Sequence, residues 1–398
     1  MGELFTMSLI PYTYFMPTRV ECGNGISNKT GEMISELGIN RVLIVTDKGI
    51  RSANLLDGIE KSLQAVHLEY EIYDEIEPNP SDDTIHKGTN YLKQYKSEAV
   101  LAVGGGSSID TAKGIAAMAT NPGHIFDYEG VGKIKIPPLP IIAIPTTAGT
   151  GSEVTASTVV TNKKTLFKLA VISPKLFPSL AILDPALTLH LPQGITAATG
   201  MDALTHAIES YTSKSANPVS QGFAIQAIKM IGEHLPKTYF VGTDIESREK
   251  MLVGSMIAGV AFSQSLLGNV HAISHTFGGV FNIPHGIANA ALLPFVMKYN
   301  LPACAVQYKD IAIALGADVS GLSTQLAAEK AIDIVIQMNR SMNIPLNIKD
   351  LGVSLDHLPK LVTDSMRSGN VLRNPRLTNA ADIQLIIEKA YYGALDEM

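Results

Sequence analysis

Asp202, His206, His271 and His285 are residues whose types could close around one divalent cation. Asp202 and His206 lie four apart in GMDALTHAIESY, so on a helix both side chains project from one face, a turn apart. His271 and His275 repeat that spacing in NVHAISHTFGG, and His285 follows in IPHGIANA after a Gly/Pro break. One carboxylate and three imidazoles suit Fe²⁺, Zn²⁺ or Mn²⁺, and no thiolate competes. A lone Asp/His pair arises by chance, and a histidine on an apolar helix is more often a core residue with its hydrogen bonds made. The second pair and the Pro-His-Gly turn shift that balance, because unpaired buried carboxylates and imidazoles are costly and a shared cation offsets the cost. The His271–His275 helix does not read as a zinc-protease helix, since Ala272 stands where the general-base Glu is required. An open coordination position must remain for a substrate oxygen, so four protein ligands with the fifth group outside them is a workable division.

A second kind of chemistry lies upstream. GGGSSIDTAK (104–113) follows a predicted strand and opens a predicted helix. Gly104, Gly105 and Gly106 allow close backbone approach, while Ser107, Ser108 and the helix N-terminus offer donors to a pyrophosphate. The motif is neither GxGxxG nor the GxxxxGK[ST] loop, and a Gly-rich turn capped by Ser is the plain alternative. PTTAGTGSEVT (145–155) sets Thr146, Thr147, Thr150 and Ser152 beside two glycines, again after a strand. Ligands bind open parallel sheets at such strand ends. Asp47 ends RVLIVTD, where a carboxylate can accept from a ribose 2′-OH and repels a 2′-phosphate, favouring NAD(H); a turn or helix-cap aspartate is the alternative.

The elements that must position these groups change character along the chain. Runs at 41–47, 99–106 and 141–147 are short and branched-aliphatic, as buried parallel strands are. Between them lies a helical stretch with Ser81 as N-cap, and 157–173 reads as a hairpin turning at 162–164. From Gln193 onward the windows are helical: 194–211, 218–234, 244–267, 286–299, 321–342 and 379–396. The expected organisation is an α/β dinucleotide-binding domain over 1–185 and an all-α metal-binding domain over 186–398, with no internal repeat and no low-complexity linker.

Composition narrows the partners. A length of 398 residues suggests two domains, and 46% hydrophobic with 17% charged residues describes a packed globular chain. A net charge of −6 with no basic run argues against nucleic acid. Cys22 and Cys304 are the only cysteines, so a disulfide framework is excluded and a reducing cytoplasm is the expected setting. The N-terminus carries Glu3 and no basic segment ahead of an apolar core, unlike a signal peptide. The least polar stretch, 251–268, includes Ser255, Ser263, Gln264 and Ser265 and reads as a buried helix, not a membrane span.

Together, GGGSSIDTAK, PTTAGTGSEVT, GMDALTHAIESY and the His271–His275–His285 segment resemble the iron-containing (group III) alcohol dehydrogenase family over nearly the whole chain. The resemblance implies the dehydroquinate synthase-like architecture, usually paired as a homodimer. Carried over motif by motif, Asp202, His206, His271 and His285 match its metal ligands, and His275 the histidine that helps move the substrate proton. Asp47, Asn79, Gly105, Gly106, Ser107, Ser108, Thr146, Thr147, Thr150 and Ser152 match cofactor contacts, as do Val159, Lys168 and Leu187 less closely. Ser157 and Phe262 fall where relatives line the substrate pocket. The sequence departs from the family at Asn370, where several relatives carry a Cys four residues before the Asn of the Asn-Pro-Arg turn. With Arg367 and Arg373 nearby, Asn370 could give the pocket a polar lining; alternatively Asn370 packs and the arginines are surface residues. The expected activity is reversible hydride transfer between NAD(H) and a short, primary and possibly polar alcohol or aldehyde, with Fe²⁺ (or Zn²⁺) as Lewis acid. The competing readings are a zinc-dependent polyol dehydrogenase or a lyase of the dehydroquinate synthase type and, from another class, a metal-dependent hydrolase.

Overall fold

The computed structural model describes residues 11–398, so the signal-peptide reading falls mostly outside the described residues. Nine strands occur among the described residues: β1 Arg19–Cys22, β2 Arg41–Val45, β3 Glu69–Tyr73, β4 Ala99–Gly104, β5 Gly130–Val131, β6 Ile141–Pro145, β7 Ser157–Asn162, β8 Phe167–Ile172 and β9 Leu180–Leu183. Six of them pair in parallel in the order β1-β9-β6-β4-β2-β3. Every residue of β4 and β6 is buried, because helices cover both faces of the sheet and leave no face for alternation. β3, EYEIY, lies at an edge and keeps its glutamates exposed or half-buried. The covering helices are α1 Thr30–Glu36, α2 Lys48–Ser52, α3 Asp57–Ala65, α4 Asp82–Tyr95 and α5 Gly106–Thr120.

Register places the two candidate loops side by side. Gly104, the last residue of β4, is paired with Pro145, the last residue of β6. GGGSS and PTTAGTG therefore leave the sheet at one level, on its C-terminal edge, beside Asp47 beyond the end of β2. β7 and β8 form the expected antiparallel hairpin, with Asn162 Oδ1 accepting from Lys164 and Thr165 N–H in the turn.

The rest of the chain is helical: α6 Gln193–Thr212, α7 Pro218–Phe240, α8 Ile245–Ser265, α9 Asn269–Val280, α10 His285–Ala314, α11 Thr324–Ser341, α12 Leu358–Met366 and α13 Ala380–Tyr392. One apolar core runs through this half, with Leu204, Ile208, Ile231, Phe277 and Leu292 fully or almost fully buried. Most helical windows match the observed elements within a few residues, but α9 and α12 were not among them. The window 286–299 is only the first half of α10, which continues past Pro302 with a kink at Cys304. The apolar stretch 251–268 is α8 and the turn after it, and α9 leaves at 106° to α8. Leu266, in that turn, has φ 60°, a backbone region that L residues rarely occupy. Among the described residues no single helix is long and apolar enough to cross a membrane.

Candidate metal and nucleotide site

α6 presents Asp202, α9 presents His271 and the first residue of α10 is His285. Their ligand atoms lie within 4.8 Å of one another, and His271 Nε2 and His285 Nε2 each stand 3.8 Å from Asp202 Oδ1. Burial holds His271 and His285 well below the ordinary histidine range, so both are neutral and carry a lone pair. At the centre lies Asn289 Nδ2, 2.6 Å from Asp202 Oδ1 and 3.1 Å from both Nε2 atoms. Two N–H bonds cannot serve three acceptors, and Asn289 Oδ1 and His285 Nδ1 are buried with no partner. One carboxylate oxygen and two imidazole nitrogens turned inward form a donor set that fits a divalent cation of the Fe²⁺ or Zn²⁺ kind.

His206 stands beside this trio rather than in it. Its ring stacks between Phe262 and His271, with both centroid distances 4.5 Å, and its Nδ1–H donates to the Gly149 carbonyl at 3.3 Å. Gly149 belongs to the PTTAGTG loop, so this contact joins the helical cluster to the nucleotide half. His275 stacks on His285 at 5.0 Å, next to the trio and outside it. Phe262 is thereby placed at the site, whereas Ser157 is engaged through its carbonyl by Lys113 Nζ at 2.9 Å. Asn370 is half-buried in a short turn that packs against α9. Arg367 lies over the Phe167 ring and beside Asp364, with its side chain more than half exposed, and Arg373 is also exposed. Both arginines are surface residues.

At the sheet edge the two loops interlock. A Cβ on Gly106 would sit 2.6 Å from the Thr150 methyl carbon, and one on Gly105 3.3 Å from Thr147 Oγ1. Gly104 holds φ +151°, open to glycine. Ser108 and Thr146 are buried beneath the loops, and Ser107 Oγ donates to the Pro78 carbonyl. Asp47 is a helix-cap aspartate, Oδ1 accepting from Gly49 and Ile50 N–H at the start of α2, while Oδ2 lies near Gly104. Asn79 is bonded across to Asn282 at 2.9 Å. Leu187 packs on the sheet core. Lys168, on β8, reaches over Gly278 of α9; burial pushes its ammonium down to about 8 against the pull of Asp110 and Asp202.

Four polar groups, Asp110, Lys113, Glu209 and Asn289, escaped the sequence reading. Ser152 Oγ donates to Asp110 Oδ1 at 2.6 Å and accepts from Lys113 Nζ at 3.2 Å, so its hydroxyl is engaged inside the protein. Asp110 also accepts from Val159 N–H. Glu209 accepts from His271 Nδ1 at 2.6 Å, and burial pushes its carboxyl up to about 7. Asn289 completes the set. Each is a polar residue in an apolar helical run, one to two turns from a motif residue, and that periodicity was the available signal.

The iron-containing alcohol dehydrogenase model matches residues 17–185, and the C-terminal model of the same family matches residues 196–391. The NAD-dependent methanol dehydrogenase of Bacillus methanolicus is 42% identical over 95% of this chain and 99% of its own. The 1,3-propanediol dehydrogenase of Klebsiella pneumoniae is 40% identical over 97% and 100%. A solved 1,3-propanediol oxidoreductase superposes with a TM-score of 0.94, at 40% identity over 96% and 100% of the two chains. Together with the site they meet in, these likenesses set aside the hydrolase reading: the chain belongs to the iron-containing alcohol dehydrogenase family and is an NAD(H)-linked oxidoreductase of alcohols and aldehydes.

Proposed function

We propose that this protein interconverts short primary alcohols and their aldehydes, with small polar substrates such as diols or hydroxyaldehydes included. Relatives that act on methanol and on 1,3-propanediol bracket that size and polarity. The observation that carries the reading is the convergence of Asp202, His271 and His285 next to the loop containing Gly149. In this reading Asp202, His206, His271 and His285 hold Fe²⁺, with His206 completing the set from its stacked position. Asp47, the two glycine loops and Lys168 hold NAD(H), with 1–185 as the nucleotide unit and 186–398 as the metal unit. When bound, Fe²⁺ polarises the substrate oxygen and NAD(H) carries the hydride.

The chain's own groups do the rest. Phe262, stacked on His206, gives the substrate carbon an apolar wall, and the buried walls exclude water. His275 accepts the hydroxyl proton of the alcohol and passes it outward, because it is the imidazole beside the trio that is not turned into it. Asp47 sets the preference for NAD(H) through its free oxygen. The free cysteines, Cys22 and Cys304, agree with a cytoplasmic setting, and a homodimer is the expected assembly, which light scattering checks.

The substrate reading is tested by an anaerobic NADH-linked screen with Fe²⁺ supplied, comparing kcat/KM for methanol, 1,3-propanediol, a hydroxyaldehyde and butanol. A strong preference for butanol removes the small polar class.

A further inference from the structure

We infer that Glu209 is a positioning residue that locks His271 into its ligating tautomer and fixes the first turn of α9 around it. This rests on the reading that the Asp202–His271–His285 trio holds a metal ion. Glu209 lies on α6 seven residues after Asp202, two turns along the same helix face. Its Oε1 accepts from Val270 N–H at 2.7 Å and its Oε2 from His271 Nδ1 at 2.6 Å. Both side chains are buried, at 6% and 1% exposure, so no water competes for either contact. One carboxylate thus grips both the backbone and the ring of α9.

The tautomer follows from the partners. His271 Nε2 faces the Asn289 amide nitrogen at 3.1 Å, a group that only donates, so Nε2 keeps its lone pair, turned to Asp202 and His285, and Nδ1 carries the proton to Glu209. The other imidazoles lack this support. His285 Nδ1 is buried without a partner, and His206 Nδ1 reaches only the Gly149 carbonyl at 3.3 Å. His271 is therefore the ligand whose orientation is fixed before any ion arrives. Room for the carboxylate comes from Gly268, where a Cβ would stand 2.9 Å from Glu209 Oε1 and 3.1 Å from Asn374 Oδ1. Asn374, from the Asn-Pro-Arg turn, meets Asn269 N–H and so braces the same helix start.

Glu209→Gln separates positioning from filling. Its amide keeps the size but has one acceptor for two donors. Either Val270 N–H loses its partner, or the NH₂ faces Nδ1, drives the proton to Nε2 and removes the lone pair. Co²⁺ is the probe, titrated into apoprotein against a competing chelator, with its visible absorption bands and the melting temperature recorded alongside. Glu209→Gln is expected to bind Co²⁺ about 10-fold or more weakly, with altered bands and a melting temperature within a few degrees of the parent. Gly268→Ala, which crowds the carboxylate without deleting it, shifts affinity in the same direction and serves should Glu209→Gln fail to fold. Wild-type affinity and bands in the variant that folds overturn the inference. His271→Ala is the control for the underlying reading: if it retains stoichiometric Co²⁺, the site itself is misassigned, whatever Glu209 does.

Discussion

Around Lys113 the protein interior surrounds one ammonium with acceptors: Ser152 Oγ, Thr155 O, Thr155 Oγ1 and Ser157 O, all between 2.9 and 3.2 Å. Asp110 balances the charge and takes its own donors from Ser152 and Val159. Around Asp202 the same interior gathers three acceptors on one amide nitrogen and leaves Asn289 Oδ1 and His285 Nδ1 unpaired. Both clusters are buried and both contain charge. The first closes on itself and welds α5 to the second loop and the hairpin. The second has lone pairs left over, converging on a point. Surplus directed lone pairs, more than burial or charge, distinguish a site that awaits a cation from one that holds the fold together.

The sharpest way to break that distinction is to remove a convergent ligand. His271→Ala or His285→Ala is expected to abolish metal retention and to lower kcat/KM at least about a thousandfold, since a Lewis acid supplies several kcal/mol. Metal analysis and turnover on the same sample check it, and normal metal content in both variants contradicts it. Lys113→Met attacks the closed cluster instead. It strands Asp110 and is expected to cost about 3–5 kcal/mol of stability while metal per folded chain stays unchanged. Denaturant unfolding with parallel metal analysis separates the two effects; a loss of metal at unchanged stability would reverse the roles assigned here.

His275→Ala, beside the open cluster, is expected to keep the metal and slow turnover about a hundredfold. An unchanged rate across pH removes the proton relay. The smallest effect lies at Glu153, buried near Lys113, whose carboxyl burial pushes up from 4.5 to about 7. Below pH 4.5 both folded and unfolded chains hold that proton and no penalty exists. Between about 4.5 and 7 the unfolded chain releases it first, so stability falls as pH rises, and above 7 the whole penalty is present. Glu153→Gln should therefore be more stable than the parent at pH 8, on the order of 2 kcal/mol, with the gain shrinking towards pH 4.5. A gain independent of pH excludes a buried carboxylate as its cause.

How much of this was legible in the sequence follows from range. β2, β4 and β6 show as apolar runs because burial on both faces leaves a mark on every residue. β3 escaped because an edge strand with EYEIY lacks that mark. Asp202, His206, His271 and His285 could be singled out by type and spacing, yet His206's place beside the trio depends on Phe262 and Gly149, distant in the chain. Ser152 looked like a loop hydroxyl and is in fact committed to Asp110, a partner on another element. Arg367 lies near Asn370 in sequence but turns to Phe167 at the surface. Helix α9 was missed as an element because Gly278, Gly279 and the short His-rich run weaken its periodicity, although the His pair it carries was read as helical.

The most direct test of the central claim is anomalous diffraction at the iron edge from crystals grown anaerobically with Fe²⁺. A single peak about 2 Å from Asp202, His271 and His285, with His206 as the fourth ligand and the Asn289 amide moved aside, is the predicted result. No peak there, or a peak bound by other residues while these three keep their mutual contacts, contradicts it.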